Sequence, residues 1–435
     1  MSNILAIVGR PNVGKSTLFN RLVQKREAIV DSTPGVTRDR HYGKSDWNGR
    51  EFSIIDTGGY SVGSDDIFES EIRRQVQLAV DESSAILFVV DAHEGIHSTD
   101  EEIALLLRKS SKPIYLVVNK VDTTDKHLDA TEFYALGFDE LFPISSSNGS
   151  GTGELLDKVV SELPDLEWVD EEEGLPRFAI IGRPNVGKSS FINALTGDNR
   201  NIVTEIAGTT RDSVHTRYQM FGHDFILVDT AGVRKRTKVH ENLEFYSVMR
   251  SIRAIESADV CFLILDATQG IEAQDLSIFH LAEKNNKGII ILVNKWDLVE
   301  KDHQTHVHFQ KTIEERIAPA MDIPIFFVSA LNKQRLLKTL EEAMAIYQRR
   351  KQRIPTSRLN EVMLPIIESN PPPALKGKYV KIKYITQLPT SYPQFVFFAN
   401  LPQYVKDSYK RFLERQLREH FDLSGSPAQI YMRKK

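Results

Sequence analysis

The chain has 435 residues, 41% hydrophobic and 26% charged, with one cysteine and a formal net charge of −4. These values suit a soluble globular protein of about two to four domains and exclude an intrachain disulfide. The charge is uneven. From Lys351 onward there are 15 Lys+Arg against 6 Asp+Glu, a net +9, which leaves −13 on residues 1–350. An acidic body with a basic tail predicts that the tail meets a polyanion.

The N-terminus, MSNILAIVGR, runs straight into a strand and a glycine loop, without the basic flank, long apolar stretch and cleavage site of a signal peptide. No apolar run approaches bilayer length. The lone Cys261, inside VCFLIL, reads as a buried strand residue in a reducing compartment. The cytoplasm is expected, with no membrane association.

The run ILAIVG leads into GRPNVGKS at Gly9–Ser16, and the same eight residues return at Gly182–Ser189. Both fit G-x-x-x-x-G-K-[ST], a phosphate-cradling loop. One match arises by chance in such a chain with a probability of about 1–2%; two identical octapeptides do not. Further blocks repeat in order: PGVTRD and AGTTRD, IIDTGG and LVDTAG, LFVVDAHEGI and FLILDATQGI, VVNKVD and LVNKWD. Positions 9 and 182, 37 and 210, and 56 and 229 each lie 173 apart, and 119 and 294 lie 175 apart. A whole domain is therefore duplicated in tandem.

In the first copy ILAIVG, FSIID, AILFVVD, PIYLVVN and LFPIS are strand-like, answered in the second by FAIIG, FILVD, VCFLILD, GIIILVN and PIFFVS. Such near-continuous apolar runs suit strands covered on both faces. Strand alternating with helix predicts an α/β fold with a doubly wound, mostly parallel sheet in each copy. The copies are placed at residues 1–163 and 177–348, joined by an acidic, proline-flanked linker at 164–176. Residues 349–435 read differently. RLNEVMLPIIES is helical and ended by NPPP, KYVKIKYITQ and QFVFFAN alternate like strands, VKDSYKRFLERQLREHF is a basic amphipathic helix, and AQIYMRKK is a short last strand. This is a small α+β domain.

The phosphate loops comprise Gly9, Arg10, Pro11, Asn12, Val13, Gly14, Lys15 and Ser16, and Gly182, Arg183, Pro184, Asn185, Val186, Gly187, Lys188 and Ser189. Their glycines let backbone N–H groups close on phosphates. Lys15 and Lys188 neutralise the β/γ-phosphates, and the helices that follow aim their positive ends at the same anion. Ser16 and Ser189 with Asp56 and Asp229 are the expected Mg²⁺ ligands, joined by Thr37 and Thr210 from a loop that orders when triphosphate is bound. Asp56, Thr57, Gly58, Gly59 and Tyr60, and Asp229, Thr230, Ala231, Gly232 and Val233, form D-x-x-G blocks, whose Gly59 and Gly232 offer amides to the γ-phosphate. Base choice falls to N-K-x-D: Asn119, Lys120, Val121 and Asp122, and Asn294, Lys295, Trp296 and Asp297. A carboxylate there accepts both N1–H and the 2-amino group of guanine, whereas adenine leaves it poorly paired. Ser145-Ser146 and Ser329-Ala330 fit a loop under the base.

With these blocks in this order, twice, and a basic domain behind them, the whole chain resembles the EngA/Der family of double GTPases. The resemblance implies two P-loop G domains packed around a C-terminal KH-like domain, and a bacterial GTPase acting in maturation of the large ribosomal subunit through rRNA. It implies GTP or GDP with Mg²⁺ as ligands, and a monomer is expected. Asn12 and Asn185 resemble the asparagine that ligates K⁺ in potassium-activated relatives. The positions where Ras-like proteins carry a water-orienting glutamine hold Tyr60 and Val233. Three readings stay open: sites that bind only, a partner that supplies the missing group, or a monovalent cation, which is favoured. Turnover is expected to be slow.

The copies differ. Arg234, Lys235, Arg236 and Lys238 follow the second D-x-x-G, where the first has the polar and acidic Tyr60–Asp66; the basic run either grips RNA or is a solvated loop. Asn332-Lys333-Gln334-Arg335 replaces the glycine-rich Asn148-Gly149-Ser150-Gly151. In the tail, Lys376, Lys378, Lys381 and Lys383, the helical series Arg411, Arg415 and Arg418, and the interleaved Tyr379, Tyr384, Tyr392 and Phe395 suit RNA contact. No G-x-x-G clamp of the KH type is present there. The alternative class is a signalling GTPase read by protein partners without RNA. Neither an RNA-modifying enzyme, for which a nucleophilic cysteine or zinc cluster is missing, nor a metabolic kinase fits the motifs.

Overall fold

The computed structural model describes residues 3–27, 42–57, 76–77, 79–80, 83–122, 129–163, 174–196, 203–207, 214–228, 244–300, 302, 304–320, 322–374 and 377–434. The chain divides into two compact units, residues 1–170 and 171–435, with the short stretch 244–249 grouping with the first.

The first unit runs β1 (Asn3–Val8), α1 (Lys15–Glu27), β2 (Tyr42–Trp47), β3 (Arg50–Asp56), β4 (Ala85–Asp91), α2 (Ser98–Leu107), β5 (Ile114–Asn119), β6 (Leu141–Pro143) and α3 (Thr152–Glu162). The sheet order is β2-β3-β1-β4-β5-β6, parallel except for β2. Alternate residues of the apolar runs go to opposite faces. Leu5, Ile7 and Leu87 pack on Leu18 and Leu22 of α1 and Leu156 and Val159 of α3. Ala6, Val8 and Phe88 pack on Ile103, Ala104 and Leu107 of α2. Both faces are covered, which is why these strands carry no polar alternation. Because β3 and β4 flank β1 on opposite sides, a crevice opens at the carboxyl end of β1, and the phosphate loop occupies that position.

The second unit repeats the plan: β7 (Arg177–Ile181), α4 (Lys188–Thr196), β8 (Val203–Ala207), β9 (Val214–Met220), β10 (His223–Val228), α5 (Glu244–Ser257), β11 (Val260–Asp266), α6 (Ala273–Lys284), β12 (Gly288–Asn294), α7 (Thr305–Ile317), β13 (Ile325–Phe327) and α8 (Leu336–Lys351). The order β13-β12-β11-β7-β10-β9-β8 is again parallel in its main body. Cys261 is fully buried on β11, and burial pushes its thiol up to about 12, so it is an inert core residue.

Three strands escaped the sequence reading: β2, β8 and β9, all antiparallel. YGKSDW and VHTRYQM are too polar to stand out as apolar runs. For β2 and β9 a hairpin turn was the available signal. Asn48-Gly49 joins β2 to β3 with φ of 49° and 81°, and Phe221-Gly222 joins β9 to β10 with φ of 52° and 78°. A two-residue hairpin of the primed type needs positive φ at both positions.

The tail forms α9 (Thr356–Ser369), β14 (Ile382–Gln387), β15 (Gln394–Ala399), α10 (Asp407–His420) and β16 (Gln429–Lys434), with sheet order β14-β15-β16. Its own core joins Leu359, Met363 and Ile367 of α9, Ile385, Phe395 and Phe397 of the sheet, and Leu413 and Leu417 of α10. The tail docks on the amino-terminal ends of the second sheet. Ile289 N–H, at the start of β12, donates to Gly425 O (3.0 Å), and Gln429 Nε2 donates to Asn286 Oδ1 (2.9 Å). The binding loops of this unit sit at the other end of the same strands.

Candidate nucleotide-binding sites

In each copy the loop between the first strand and its helix wraps with the fourth and sixth positions of the octapeptide set by stereochemistry and contact. Asn12 and Asn185 have φ of 65° and 64°, and Gly14 and Gly187 have φ of 95° and 100°. A Cβ on Gly14 would lie 2.2 Å from Asn119 Nδ2, and one on Gly187 equally close to Asn294 Nδ2. Glycine is therefore required there twice over. Val13 and Val186 turn their side chains into the core. Asn12 and Asn185 are exposed at the tip.

Lys15 Nζ donates to the carbonyls of Gly9 (2.8 Å) and Arg10 (2.7 Å). Lys188 Nζ donates to those of Gly182 (2.7 Å) and Arg183 (2.5 Å). Both ammonium groups are thus folded back over the loop. Burial pushes both pKa values down to about 8, opposed at Lys15 chiefly by Asp56 and at Lys188 by Asp275. An incoming phosphate would restore the charge that burial penalises.

Ser16, in the first turn of α1, donates its hydroxyl to Asp56 Oδ2 at 2.6 Å. Asp56 is fully buried at the end of β3, whereas Ser16 is exposed. A hydroxyl and a carboxylate converging beside a phosphate loop are the hard oxygen donors that Mg²⁺ takes, so the pair fits that ion. Thr57 does not face the loop: it is buried, and its hydroxyl donates to Ile7 O (2.8 Å). Thr37, Gly58, Gly59, Tyr60, Thr210, Asp229, Thr230, Ala231, Gly232 and Val233 lie outside the described residues, as do Tyr60–Asp66 and the basic run Arg234–Lys238.

The N-K-x-D residues divide their work. Asn119 ties loop to loop: its Nδ2 donates to Val13 O (2.8 Å), and its Oδ1 accepts from Ser146 N–H (3.0 Å) and Ser146 Oγ (2.8 Å). Asn294 does the same, to Val186 O (2.9 Å) and from Ala330 N–H (3.0 Å). Val121 and Trp296 are buried, with Trp296 packed on Phe327. Asp122 is exposed and accepts from Ser145 Oγ at 2.5 Å, which fixes one oxygen of its carboxylate. Asp297 is half-buried.

Sequence reasoning counted the DAHEGI and DATQGI blocks as repeats but gave them no chemistry. They are the hub of each site. Asp91, buried at the end of β4, holds Lys120 Nζ, and Asp266 holds Lys295 Nζ at 2.6 Å. Arg10 spans to Glu94 (2.6 Å) and Asp100 (3.1 Å), and Arg183 to Glu272 (2.5 Å) and Asp275 (2.9 Å). The Arg10 and Arg183 side chains are thereby committed away from any ligand, leaving only their backbone for the phosphates. The signal was available: an aspartate at the same place in both repeats, nine residues before another aspartate.

Two P-loops, each tied by an asparagine to an N-K-x-D loop, on two doubly wound sheets and followed by an α-β-β-α-β tail, define a tandem P-loop GTPase with a KH-like domain. The family described as 50S ribosome-binding GTPase matches residues 4–120 and 177–295, and that described as KH-domain-like of EngA bacterial GTPase enzymes matches residues 353–433. The chain is 62% identical over 435 residues to GTPase Der of Christiangramia forsetii and 64% identical over 436 residues to GTPase Der of Flavobacterium psychrophilum, in each case covering 100% of both chains. Among solved structures it is similar to Era in complex with MgGDPNP and nucleotides 1506–1542 of 16S ribosomal RNA, at 23% identity and a TM-score of 0.32, covering 60% of this chain and 93% of that one. The chain belongs to the GTPase Der (EngA) family. It is a GTP-binding, GTP-hydrolysing protein, and its family takes GTP or GDP with Mg²⁺.

Proposed function

We propose that this GTPase is a nucleotide-dependent factor in assembly of the large ribosomal subunit. It works as a cytoplasmic monomer that engages rRNA through its tail. The observation that carries this is the match to a family described as 50S ribosome-binding, joined to a tail whose described basic side chains stand largely free of acidic partners. Lys378, Lys381, Lys383, Arg411, Arg415 and Arg433 are exposed, and Tyr379 is 79% exposed among them. Cations beside an open aromatic ring suit phosphate contact and base stacking. Not every candidate contributes. Arg418 is consumed by Glu414, Leu423 O and Ser426 O, Phe395 is core, and Tyr392 bonds Gln429. Lys376 lies outside the described residues.

In this reading the residues of the two loops bind the phosphates, Ser16 with Asp56 and Ser189 with Asp229 hold Mg²⁺ together with Thr37 and Thr210, and Asp122 and Asp297 read guanine. The chain's domains are residues 1–163, 177–348 and 349–435, linked by 164–176. Asn12 and Asn185, exposed at the loop tips, ligate K⁺, which stands in for the water-orienting glutamine that the chain lacks. Equal GTPase rates in NaCl and KCl at matched ionic strength would remove the K⁺ assignment.

Sedimentation with purified ribosomal subunits in GDP, GTP or a non-hydrolysable analogue tests the whole. Nucleotide-dependent binding to the large subunit supports it. Intact GTP binding with no subunit binding in any state would leave the alternative, a switch read by protein partners.

A further inference from the structure

The loop arginines have no role in the reading above, yet both are held with care. Arg10 and Arg183 are each 8% exposed, and Asp100 and Asp275 are fully buried in the first turns of α2 and α6. Each aspartate also accepts a backbone N–H at its helix start, from His97 (3.2 Å) and Glu272 (3.0 Å). The second carboxylate comes from non-equivalent places. Aligning DAHEGIH with DATQGIE sets Glu94 opposite Gln269 and Glu272 opposite His97. The doubly held guanidinium is therefore kept in both copies although its second acidic partner has moved by three residues.

The arrangement is not an optimum for stability. Nη2 of each arginine and Oδ1 of each aspartate are buried without a hydrogen-bond partner. A buried pair left partly unsatisfied is costly, and a well-packed apolar replacement is commonly neutral or stabilising. What the arginine gains is position. Its carbonyl accepts from Lys15 Nζ (2.7 Å) in one copy and Lys188 Nζ (2.5 Å) in the other, while its side chain grips the helix that follows the neighbouring strand of the sheet, β4 or β11. We propose that Arg10 and Arg183 are positioning residues that pin each phosphate loop to α2 or α6, setting where Lys15 and Lys188 meet the phosphates.

The inference rests on the two loops holding nucleotide phosphates. It is tested in the full-length chain with the second site silenced by Lys188→Ala, by following release of a fluorescent GDP analogue. Arg10→Met is expected to speed release about tenfold or more, the scale on which small misplacements of binding groups act. Arg10→Lys, which reaches one carboxylate only, speeds it less. The double variant Arg10→Met/Asp100→Asn leaves no lone buried carboxylate, so it regains thermal midpoint while release stays fast. Recovery of stability and slow release together would make the arginine merely structural and overturn the proposal. So would unchanged release in folded Arg10→Met. Failure of the Lys188→Ala chain itself to hold GDP would instead refute the reading of the first loop. Arg183→Met in a Lys15→Ala background repeats the test at the second site.

Discussion

Lys15 and Lys188 carry the sharpest prediction at the scale of single residues. With both amines near 8 in the folded chain, an anionic phosphate that raises them again must draw in protons above that pH. GDP binding should therefore take up protons at pH 8.5–9 and weaken as pH rises further. Calorimetry in buffers of different ionisation enthalpy reads this directly, and buffer-independent heats would contradict it. The same shift bears on stability. The unfolded chain keeps these protons up to about 10.5 while the folded chain releases them near 8, so this contribution rises with pH between those values. Gly14 offers a second test. Gly14→Ala drives a methyl onto Asn119 Nδ2 and strains a φ of 95°, so first-site GDP affinity should fall about 100-fold with the second site unchanged. Two-site calorimetry separates the two losses. Glycine, lysine and serine at these places were readable in the sequence because the chemistry of phosphate admits few alternatives. The exposure of Asn12, the core role of Val13 and the outward commitment of Arg10 were not, because they depend on what the loop packs against.

Strand ends decide the next scale. β4 and β11 finish on Asp91 and Asp266, whose carboxylates hold the lysines of N-K-x-D from the neighbouring strand ends. The parallel register makes this possible by setting Asp91 beside Asn119 and Asp266 beside Asn294. Asp91→Asn weakens a charge-assisted contact of about 1.5–3 kcal/mol. GTP should bind the first site about tenfold more weakly, with the second unaffected; a fluorescence titration showing no change would exclude a role for Asp91 in the site. Apolar strands were legible because burial on both faces demands a continuous hydrophobic run. β2 and β9 were not, since their polar residues break the apolar run and only the two-residue turn into the next strand marks them.

Within the second unit as a whole, the tail grips the end of the sheet opposite the binding loops. Seven residues of β12, about 20 Å of strand, run from the docking point at Gly288 to Asn294. Arg349 bridges to Asp422 (2.7 Å), and Arg350, 4% exposed, donates to Asn286 O (2.5 Å). Gly425 is the hinge of this contact, with φ of 66° and amide and carbonyl both bonded to the G domain, at Asp322 O and Ile289 N–H. Gly425→Val should loosen it by about 1–2 kcal/mol, seen as faster hydrogen exchange at Ile289 with none at Leu116 in the first unit. Equal exchange at Ile289 would show that the contact does not hold the tail. Among the described residues, the loops at Gly182–Ser189 and Asn294–Asp297 thus stand at the end of the sheet opposite the docked tail.

The sequence by itself determined that there are two P-loops, each followed by an N-K-x-D block, on doubly wound sheets, and a basic tail. Those features are local: a turn that only glycine allows, a lysine one residue past it, an N-K-x-D run at a strand end, an apolar run of strand length. Only the tertiary structure decided how the pieces are held together. The Arg10–Asp100 and Lys120–Asp91 pairs join residues 90 and 29 positions apart, and Gln429 meets Asn286 across 143. Each depends on which strands become neighbours and on which charges burial forces into pairs, and no run of adjacent residues records either.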